Sequence, residues 1–413
     1  MNLSPDVLAL QADLVALRRD FHRHPELGYR ETRTAGIVAD RLRKAGYAVR
    51  TGIAKTGVVG VLRGARPGPT LLLRADMDAL PIQEENRTPY ASATPGVMHA
   101  CGHDGHTAIG IAAAQILARR RARQAGTLVV VFQPAEEELG GAPAMIREGL
   151  LENPAPDAAL ALHLWNSLPV GTVGVRAGAT WASSDRFEIA ILGRGGHAGY
   201  PHTTIDPVVT AAEAVLALQT VVSRELPPTA PRALSVTRIA GGTTTNVIPS
   251  EVVMLGTMRF YDESLRAQAK RRIERVVRGV AEAHGAGCRV RFDDGYPVTV
   301  NDPALTALVR EVAAGVVGPD RVVEHEATMG SEDMGYVLQR IPGCYFMLGS
   351  MSVAKGLCHP HHHPRFDFDE ACLPVGVELL VRAAERILDG AAAAPPRPRP
   401  RAAARGPKRP RKG

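Results

Sequence analysis

The stretch TLLLRADMDALPI at residues 70–82 has the pattern of a central strand that ends at a functional edge. Its apolar run breaks abruptly into charged and polar residues, as a strand buried on both faces of a sheet does at its carboxyl end. Runs at residues 127–133 and 158–164 also indicate buried strands, and residues 32–45 and 107–120 indicate helices before and between them. Helices alternating with buried strands predict an α/β fold with a mostly parallel mixed sheet flanked by helices.

The pattern changes near residue 184, and a length of 413 residues also favours more than one domain. Residues 184–297 alternate as strand, helix, strand, strand, helix, strand, which is the split-βαβ plan of a small α+β domain. We therefore predict a discontinuous larger domain, residues 1–183 and 298–390, with residues 184–297 inserted in it. Residues 391–413 are rich in Pro, Arg and Ala and predict a disordered basic tail, because they cannot bury a core.

The placement of histidine is the strongest chemical signal. Ten of the fourteen histidines fall in short segments at residues 98–106, 163–165, 195–202 and 359–363, and the acidic segment QPAEEE at residues 133–138 belongs with them. Several of these segments follow predicted strands, and strand ends in an α/β sheet converge on one crevice. Thiolate, imidazole and carboxylate together suit a divalent ion such as Zn, Mn, Co or Ni.

Each feature also has an ordinary explanation when it is taken alone. Cys101 and His103 could both reach one ion, but a buried Cys beside a polar His is the commoner arrangement. The adjacent Glu136 and Glu137 would repel each other if buried, unless a cation or a proton compensates. A metal-binding Glu beside a general-base Glu would resolve that conflict, whereas a solvated acidic turn is the simpler alternative. His163 alone could be a histidine of the core.

Several motifs together carry a family resemblance. In order along the chain they are RADMDALPI at 74–82, MHACGHDGH at 98–106, FQPAEE at 132–137, HLW at 163–165, GGHAGYPH at 195–202, NVIP at 246–249, GTMRF at 256–260 and HHPRFDFDE at 362–370. The set resembles the di-metal aminoacylase/carboxypeptidase family, in particular its branch of hippurate hydrolases and indole-acetyl-amino-acid hydrolases. The resemblance spans about residues 14–388 and leaves out only the basic tail.

The resemblance implies a site for two divalent metal ions. The residues that match its metal ligands are Cys101, His103, Glu137, His163 and His362, with Cys101 as the bridge between the ions. Glu136 matches the general base that activates a water molecule. His362 matches by its place two residues before Pro364, although the adjacent His361 and His363 remain alternatives.

Two acids before these ligands also have counterparts in the family. Asp78 matches a carboxylate that orients a His ligand, which is the usual task of acids around metal ligands. Asp76 stands where related branches place a ligating His, so its role here is open.

The inserted segment matches the family's substrate-binding residues. His197 matches a histidine that stabilises the oxyanion of the tetrahedral intermediate and that relatives donate across a dimer interface. Asn246 and Arg259 match substrate-binding positions, and the planar fork of an Arg suits a carboxylate. The resemblance therefore implies that residues 184–297 form a lid and dimerisation domain. Without it, His197 would be an ordinary surface residue and Arg259 a solvated one.

Charge and composition exclude other classes of protein. The net charge is +7, but residues 395–413 carry eight Lys or Arg and no acid, and the remaining residues have a net charge of −1. This balance argues against nucleic-acid binding, apart from weak, salt-sensitive contacts of the tail. No apolar run approaches the ~20 residues of a membrane span. The odd count of five cysteines and an N-terminus without a signal pattern predict a reduced, cytoplasmic location.

These observations predict a metal-dependent amidohydrolase that cleaves N-acyl amino acids, such as hippurate, to a carboxylic acid and a free amino acid. Glu136 would act first as base and then as acid, and a homodimer or higher homo-oligomer is expected from the resemblance. A dipeptidase or carboxypeptidase with the same site is the nearest alternative. A tail-mediated binder of nucleic acid or of an anionic surface, and a catalytically inactive binding protein, are alternatives of other classes.

Overall fold

The computed structural model describes residues 1–137 and 140–390. The helices are α1 (Pro5–Ala9), α2 (Gln11–Arg23), α3 (Thr32–Lys44), α4 (His103–Arg119), α5 (Gly141–Arg147), α6 (Pro207–Arg224), α7 (Glu263–Ala283), α8 (Pro303–Val317), α9 (Met334–Leu338) and α10 (Cys372–Leu388). The strands are β1 (Ala48–Ile53), β2 (Gly57–Arg63), β3 (Arg66–Asp76), β4 (Ala125–Gln133), β5 (Ala158–Pro169), β6 (Val173–Val175), β7 (Gly178–Trp181), β8 (Asp185–Leu192), β9 (Gly196–His197), β10 (Arg232–Ala240), β11 (Val247–Ile248), β12 (Glu251–Phe260), β13 (Gly287–Asp294), β14 (Thr299–Asn301), β15 (Val322–Glu324) and β16 (Gly343–Met351). The tail predicted at residues 391–413 lies outside the described residues.

The larger sheet has eight strands in the order β1-β2-β4-β3-β5-β16-β6-β15. Its four central strands, β4, β3, β5 and β16, pair in parallel, whereas β1, β2 and β6 join it by antiparallel pairs. This confirms the predicted fold class, a mostly parallel mixed sheet flanked by helices.

The residues of β3 show why this strand is central. Leu71 and Leu73 point into a core formed with α2, α3, α4, α8 and α10, whereas Leu72 points into a second core formed with α5 and α9. Fully burying such a side chain stabilises a fold by about 1.5–3 kcal/mol. A strand that is covered on both faces therefore needs the continuous apolar run that the sequence provides.

The smaller sheet has four strands in the order β10-β12-β8-β13, all of them antiparallel. Helices α6 and α7 pack on it and enclose a separate core that includes Ile189, Leu218 and Ile273. Along the chain the elements run β8-α6-β10-β12-α7-β13, in the order predicted for residues 184–297. The exact domain boundaries stay a prediction.

Three helices begin at an aspartate that caps their first turn. The side chains of Asp206, Asp262 and Asp302 each accept hydrogen bonds from two backbone N–H groups at the starts of α6, α7 and α8. Such caps contribute roughly 1 kcal/mol each. A proline follows the first and the third of these caps, where its missing N–H costs nothing.

The structure differs from the sequence pattern in a few places. The pattern predicts no strand at residues 343–351, yet β16 is a central strand of the larger sheet. The predicted N-terminal helix is divided into α1 and α2, and β5 continues to Pro169 rather than ending near residue 164. Among the described residues, no helix is both long and apolar enough to cross a membrane.

Candidate metal centre and active site

The predicted metal ligands come from the carboxyl ends of the central parallel strands and from the loops beside them. Glu137 follows β4, His163 lies within β5, and Cys101 precedes α4, which begins at His103. Between them Gly102 has a φ of 96°, a left-handed conformation that glycine adopts without strain. This turn lets Cys101 and His103 both face the crevice at the strand ends.

The donor atoms of these residues form two overlapping groups. Cys101, His103 and His163 form one group, and Cys101, Glu137 and His362 form the other; within each, the donor atoms lie within 4.8 Å of one another. Cys101 Sγ is 3.5 Å from Nε2 of His163, and Oε1 of Glu137 is 3.3 Å from Nε2 of His362. All five predicted ligands are thus brought together, with Cys101 common to both groups.

Hydrogen bonds fix which ring nitrogens face the crevice. Nδ1 of His103 lies 2.9 Å from the carbonyl oxygen of Asp78 and 3.3 Å from its carboxylate. Nδ1 of His163 lies 2.5 Å from the carbonyl oxygen of Leu164. A proton on each Nδ1 satisfies these acceptors and leaves the Nε2 lone pairs directed at the other donors, as in metal-binding histidines.

Among the described residues, Nε2 of His103 and Oε1 of Glu137 are buried atoms without a hydrogen-bond partner, although His362 lies within ion-pair distance of the latter. They are 3.9 Å apart. Unsatisfied buried polar atoms are costly, and a missing ion is one of the ordinary reasons for them. A thiol, imidazoles and a carboxylate that converge on such atoms fit a borderline divalent cation such as Zn²⁺.

The electrostatics of the crevice also favour a cation. Burial, together with the neighbouring Glu137 and Glu136, raises the pKa of the Cys101 thiol well above its ordinary value. Burial lowers the pKa of His103, but Asp76, Asp78 and Glu137 outweigh it and raise the pKa to about 10. In both shifts the nearby carboxylates contribute, and a metal ion would neutralise their negative charge.

Glu136 lies beside the ligands but in a different environment. Its carboxyl group is buried, and burial raises its pKa well above the ordinary value, assisted by the nearby carboxylates of Glu332, Glu137 and Asp333 and opposed by Arg74. A carboxyl group whose proton affinity has been increased in this way is suited to take up and release a proton.

Asp78 holds the backbone of both glutamates. Its Oδ1 accepts the N–H of Glu136 and its Oδ2 accepts the N–H of Glu137, each at 3.0 Å. The next N–H along the chain toward the N-terminus, that of Ala135, donates to buried Glu31 at 2.9 Å. Carboxylates therefore bind three consecutive N–H groups. Asp78 thus positions the glutamate backbone in addition to its predicted contact with a histidine ligand.

The open question of Asp76 has a structural answer. Its Oδ2 pairs with Arg74 at 2.6 Å, and its Oδ1 lies 2.6 Å from Nδ1 of His106. The Nε2 of His106 accepts the backbone N–H of Leu164 at 2.8 Å, so both nitrogens of that ring are occupied. Asp76 therefore belongs to a buried network beneath the crevice.

Glu332 and Asp333 are site residues that the sequence analysis does not predict. Arg74 binds both, at 2.8 and 3.0 Å. Asp333 also accepts hydrogen bonds from the side chain of Gln133 and the backbone N–H of Ala142, which lie on either side of the glutamate segment. An arginine inside the apolar run of β3 is the signal that could have indicated a buried partner.

The structure favours His362 among the three adjacent histidines. Its backbone N–H donates to the carbonyl oxygen of Ala100 at 2.8 Å, and its side chain reaches Glu137. Nε2 of His361 instead accepts the backbone N–H of Asn166 at 3.2 Å, and Nδ1 of His363 accepts that of Arg365 at 3.0 Å.

The predicted residues of the smaller-sheet region lie apart from this cluster. His197 pairs with Val247 across β9 and β11, next to Asn246, whose carbonyl oxygen accepts the N–H of Ala198 at 3.0 Å. Arg259 lies on β12 and bonds to the Thr257 hydroxyl and a backbone carbonyl. Within residues 1–137 and 140–390, no hydrogen bond, ion pair or ring contact connects His197, Asn246 or Arg259 to the donor cluster.

A mostly parallel sheet that gathers thiol, imidazole and carboxylate groups at its strand ends defines an α/β protein with a candidate metal site. A family model described as peptidase family M20/M25/M40 matches residues 72–386. The chain belongs to that family, which confirms the resemblance seen in the motifs, and it is a hydrolase of the amidohydrolase/peptidase type.

Individual relatives match nearly the whole chain. Thermostable carboxypeptidase 2 of Saccharolobus solfataricus is 39% identical over 378 residues, which cover 91% of this chain and 95% of the relative. N-acetyl-L-cysteine deacetylase of Bacillus subtilis is 38% identical over 380 residues, with 92% and 89% covered. The crystal structure of the Bacillus subtilis YXEP protein, described as a dinuclear metal binding peptidase of the M20 family, matches with a TM-score of 0.82 and 34% identity, covering 92% of this chain and 99% of that one.

Proposed function

We propose that this protein hydrolyses the amide bond of N-acyl amino acids and releases a carboxylic acid and a free amino acid. The observation that carries the proposal is the pairing of Glu136 with the donor cluster. A buried carboxyl group of raised pKa adjoins unsatisfied ligand atoms of His103 and Glu137. The similarity to a deacetylase of N-acetyl-L-cysteine supports a substrate of this class.

Cys101, His103, Glu137, His163 and His362 would hold two divalent ions, which would polarise the scissile carbonyl and acidify a water molecule. Glu136 would take the proton of the attacking water and then pass it to the leaving amine. One carboxyl group can do both because its buried, acidic surroundings favour the protonated form after the first transfer. Asp78 keeps the group in place through the backbone of Glu136.

The smaller-sheet region would supply the groups that bind the substrate. Arg259 is half-buried and, among the described residues, has no carboxylate within ion-pair distance; burial lowers its pKa. The carboxylate of the amino-acid product would complete its bonding through two parallel N–H···O contacts. Asn246 would bind the substrate nearby, and His197 would donate a hydrogen bond to the oxyanion of the tetrahedral intermediate.

Peptide hydrolysis at the same site is the second candidate. Thermostable carboxypeptidase 2 matches this chain over almost its full length, and the chemistry at a peptide bond would use the same residues. The two candidates differ in what lies on the acyl side of the bond, an uncharged acyl group or an aminoacyl residue.

A panel of substrates separates these candidates. The protein is stripped with EDTA, reloaded in turn with Zn²⁺, Mn²⁺, Co²⁺ or Ni²⁺, and assayed on N-benzoylglycine, N-acetyl amino acids and dipeptides. We expect chelation to abolish activity and reloading to restore it, with the highest kcat/KM on N-acyl amino acids. Activity that survives chelation would exclude the metal-dependent mechanism, and a preference for dipeptides would favour the peptidase. No turnover of any substrate would favour a catalytically inactive binding protein.

A homodimer and a cytoplasmic location stay predictions. Any contact of nucleic acid or an anionic surface with the basic tail involves residues outside the described ones. Sedimentation of the full chain would test the first prediction, and binding of DNA by full-length protein but not by residues 1–390 would attribute such binding to the tail.

A further inference from the structure

Tyr296 lies on the connection that leads from the smaller sheet back to the larger one. It follows β13 and precedes β14. Its carbonyl oxygen accepts the N–H of Ser184, which lies on the connection running the other way, at 2.8 Å. The two connections are in direct contact, because a Cβ placed on Gly295 would lie only 2.0 Å from the carbonyl oxygen of Ser184.

The hydroxyl group of Tyr296 reaches the segment that carries the two glutamates. It donates to the carbonyl oxygen of Glu136 and accepts the N–H of Gly140, the latter at 3.2 Å. One phenol thus bonds to residues on both sides of Glu137. Tyr296 makes these hydrogen bonds from the connection between the two sheets. Asp78 and Glu31, which belong to the part of the chain that forms the larger sheet, bind the same segment through its N–H groups.

Tyr336 provides a natural comparison. Its hydroxyl donates to the carbonyl oxygen of Gly295 at 3.1 Å, and its ring lies 6.2 Å from that of Tyr296. It therefore supports the same connection, but among the described residues its hydroxyl makes no hydrogen bond to the glutamate segment. Loss of its hydroxyl would weaken the connection without removing a bond to Glu136.

We propose that Tyr296 is a positioning residue that ties the placement of Glu136 to the connection between the two sheets. The inference rests on the proposed function, in which Glu136 transfers the proton. Tyr296 binds the carbonyl oxygen of Glu136, and Asp78 binds the N–H groups of Glu136 and Glu137. The backbone of the two glutamates therefore has little freedom to rotate. Removing the phenolic hydroxyl should therefore displace the carboxyl group of Glu136 while leaving the metal ligands in place.

The test compares Tyr296→Phe with Tyr336→Phe in the full chain loaded with Zn²⁺ or Mn²⁺. We expect Tyr296→Phe to lower kcat by roughly 10- to 100-fold, because small displacements of a reacting group have effects of this size. Its KM and its metal content should stay at the wild-type values. Tyr336→Phe should retain the wild-type kcat and KM. Wild-type kcat in Tyr296→Phe, a loss of metal that parallels its loss of activity, or an equal fall of kcat in Tyr336→Phe would each overturn the inference.

Hydrogen exchange gives a second measurement that does not depend on turnover. Peptides covering residues 133–142 should exchange faster in Tyr296→Phe than in wild type, and at the wild-type rate in Tyr336→Phe. Unchanged exchange in Tyr296→Phe would also overturn the inference. Glu136→Gln separates this outcome from failure of the proposed function: turnover by that variant would refute the function itself, whereas an inactive Glu136→Gln beside a fully active Tyr296→Phe would refute only the role of Tyr296.

Discussion

The donor cluster and the predicted substrate-binding residues are organised in opposite ways. In the cluster, His103 and His163 are buried, and hydrogen bonds to carbonyl oxygens fix their rings. In the smaller-sheet region, His197 is exposed and Arg259 half-buried, and among the described residues their side chains hydrogen-bond only to residues close to them in the chain.

This difference indicates which part of the site is already formed in the folded single chain. The predicted ligands lie on a strand of the larger sheet or in the segments beside its strands, so their geometry depends on that sheet. The predicted substrate-binding residues would depend on where the smaller sheet, or that of a second chain, stands during the reaction. Changes in the first region should therefore alter chemistry or metal content, and changes in the second should alter substrate binding.

The adjacent glutamates provide the sharpest test of the first region. Glu136→Gln should lower kcat by roughly 10²- to 10⁴-fold, the usual contribution of a general acid–base group, while metal content stays at the wild-type value. Glu137→Gln should lose metal, because it removes a charged ligand. Metal analysis beside steady-state kinetics distinguishes the two. Equal loss of metal in both variants would mean that the roles of the pair are not divided in this way.

Arg259 tests the second region. Arg259→Met should raise KM by roughly 10- to 100-fold, since it removes charge-assisted hydrogen bonds worth about 1.5–3 kcal/mol, and should leave metal content unchanged. Arg238→Met is the matched control, because Arg238 is an exposed arginine on the adjacent strand β10. A fall in metal content of Arg259→Met, or an equal rise of KM in the control, would contradict the division between the two regions.

The features that the sequence predicts correctly depend on residues close together in the chain, and the features that it does not predict depend mostly on contacts between distant residues. Continuous apolar runs predict the strands β3, β4 and β5, and the motifs that contain the predicted ligands are each local in sequence. The strand β16 was not predicted because its apolar run, CYFML at residues 344–348, is short and flanked by glycines, and so short a run does not by itself distinguish a strand from a buried helical segment. Asp333 and Tyr296 were not predicted for another reason. Their partners, Gln133 and Glu136, are 200 and 160 residues away along the chain.

Arg18 is another residue of this long-range kind. It is fully buried, and it binds Asp104 at 2.9 Å and Asp367 at 2.6 Å. Asp104 follows the predicted ligand His103 directly, and Asp367 lies in the segment after His362. A single guanidinium group thus joins the helix that carries one predicted ligand to the loop that carries another.

Weakening this link should weaken metal binding. Outer residues that orient ligands typically affect metal affinity by 10- to 100-fold, and we expect roughly tenfold weaker binding for Asp367→Asn, which keeps the side-chain shape but removes the charge. Titration with Zn²⁺ against a competing chelator would measure it. Arg266→Met is the control, because it breaks a buried ion pair with Asp185 in the smaller-sheet region. Unchanged affinity in Asp367→Asn, or an equal loss in the control, would refute the link.

The smallest expected effect concerns stability rather than catalysis. His22 is buried between Asp104 at 2.8 Å and Glu84 at 3.2 Å, with Arg18 and the ring of His99 nearby. Burial and Arg18 lower its pKa, but hydrogen bonds to the two carboxylates outweigh them and raise it to about 9.

The sign of the pH dependence follows from that shift. Since the pKa of His22 is about 6.5 in an unfolded chain, its protonated ring stabilises the fold fully below that pH, and the contribution is lost as the pH rises through about 9. The contribution at low pH is on the order of 3 kcal/mol. Urea unfolding of metal-loaded wild type and His22→Gln should therefore show a difference in unfolding free energy that shrinks between pH 6.5 and 9.5. A constant difference would mean that His22 stabilises the fold as a neutral ring, and that the cluster's supporting network does not depend on its charge.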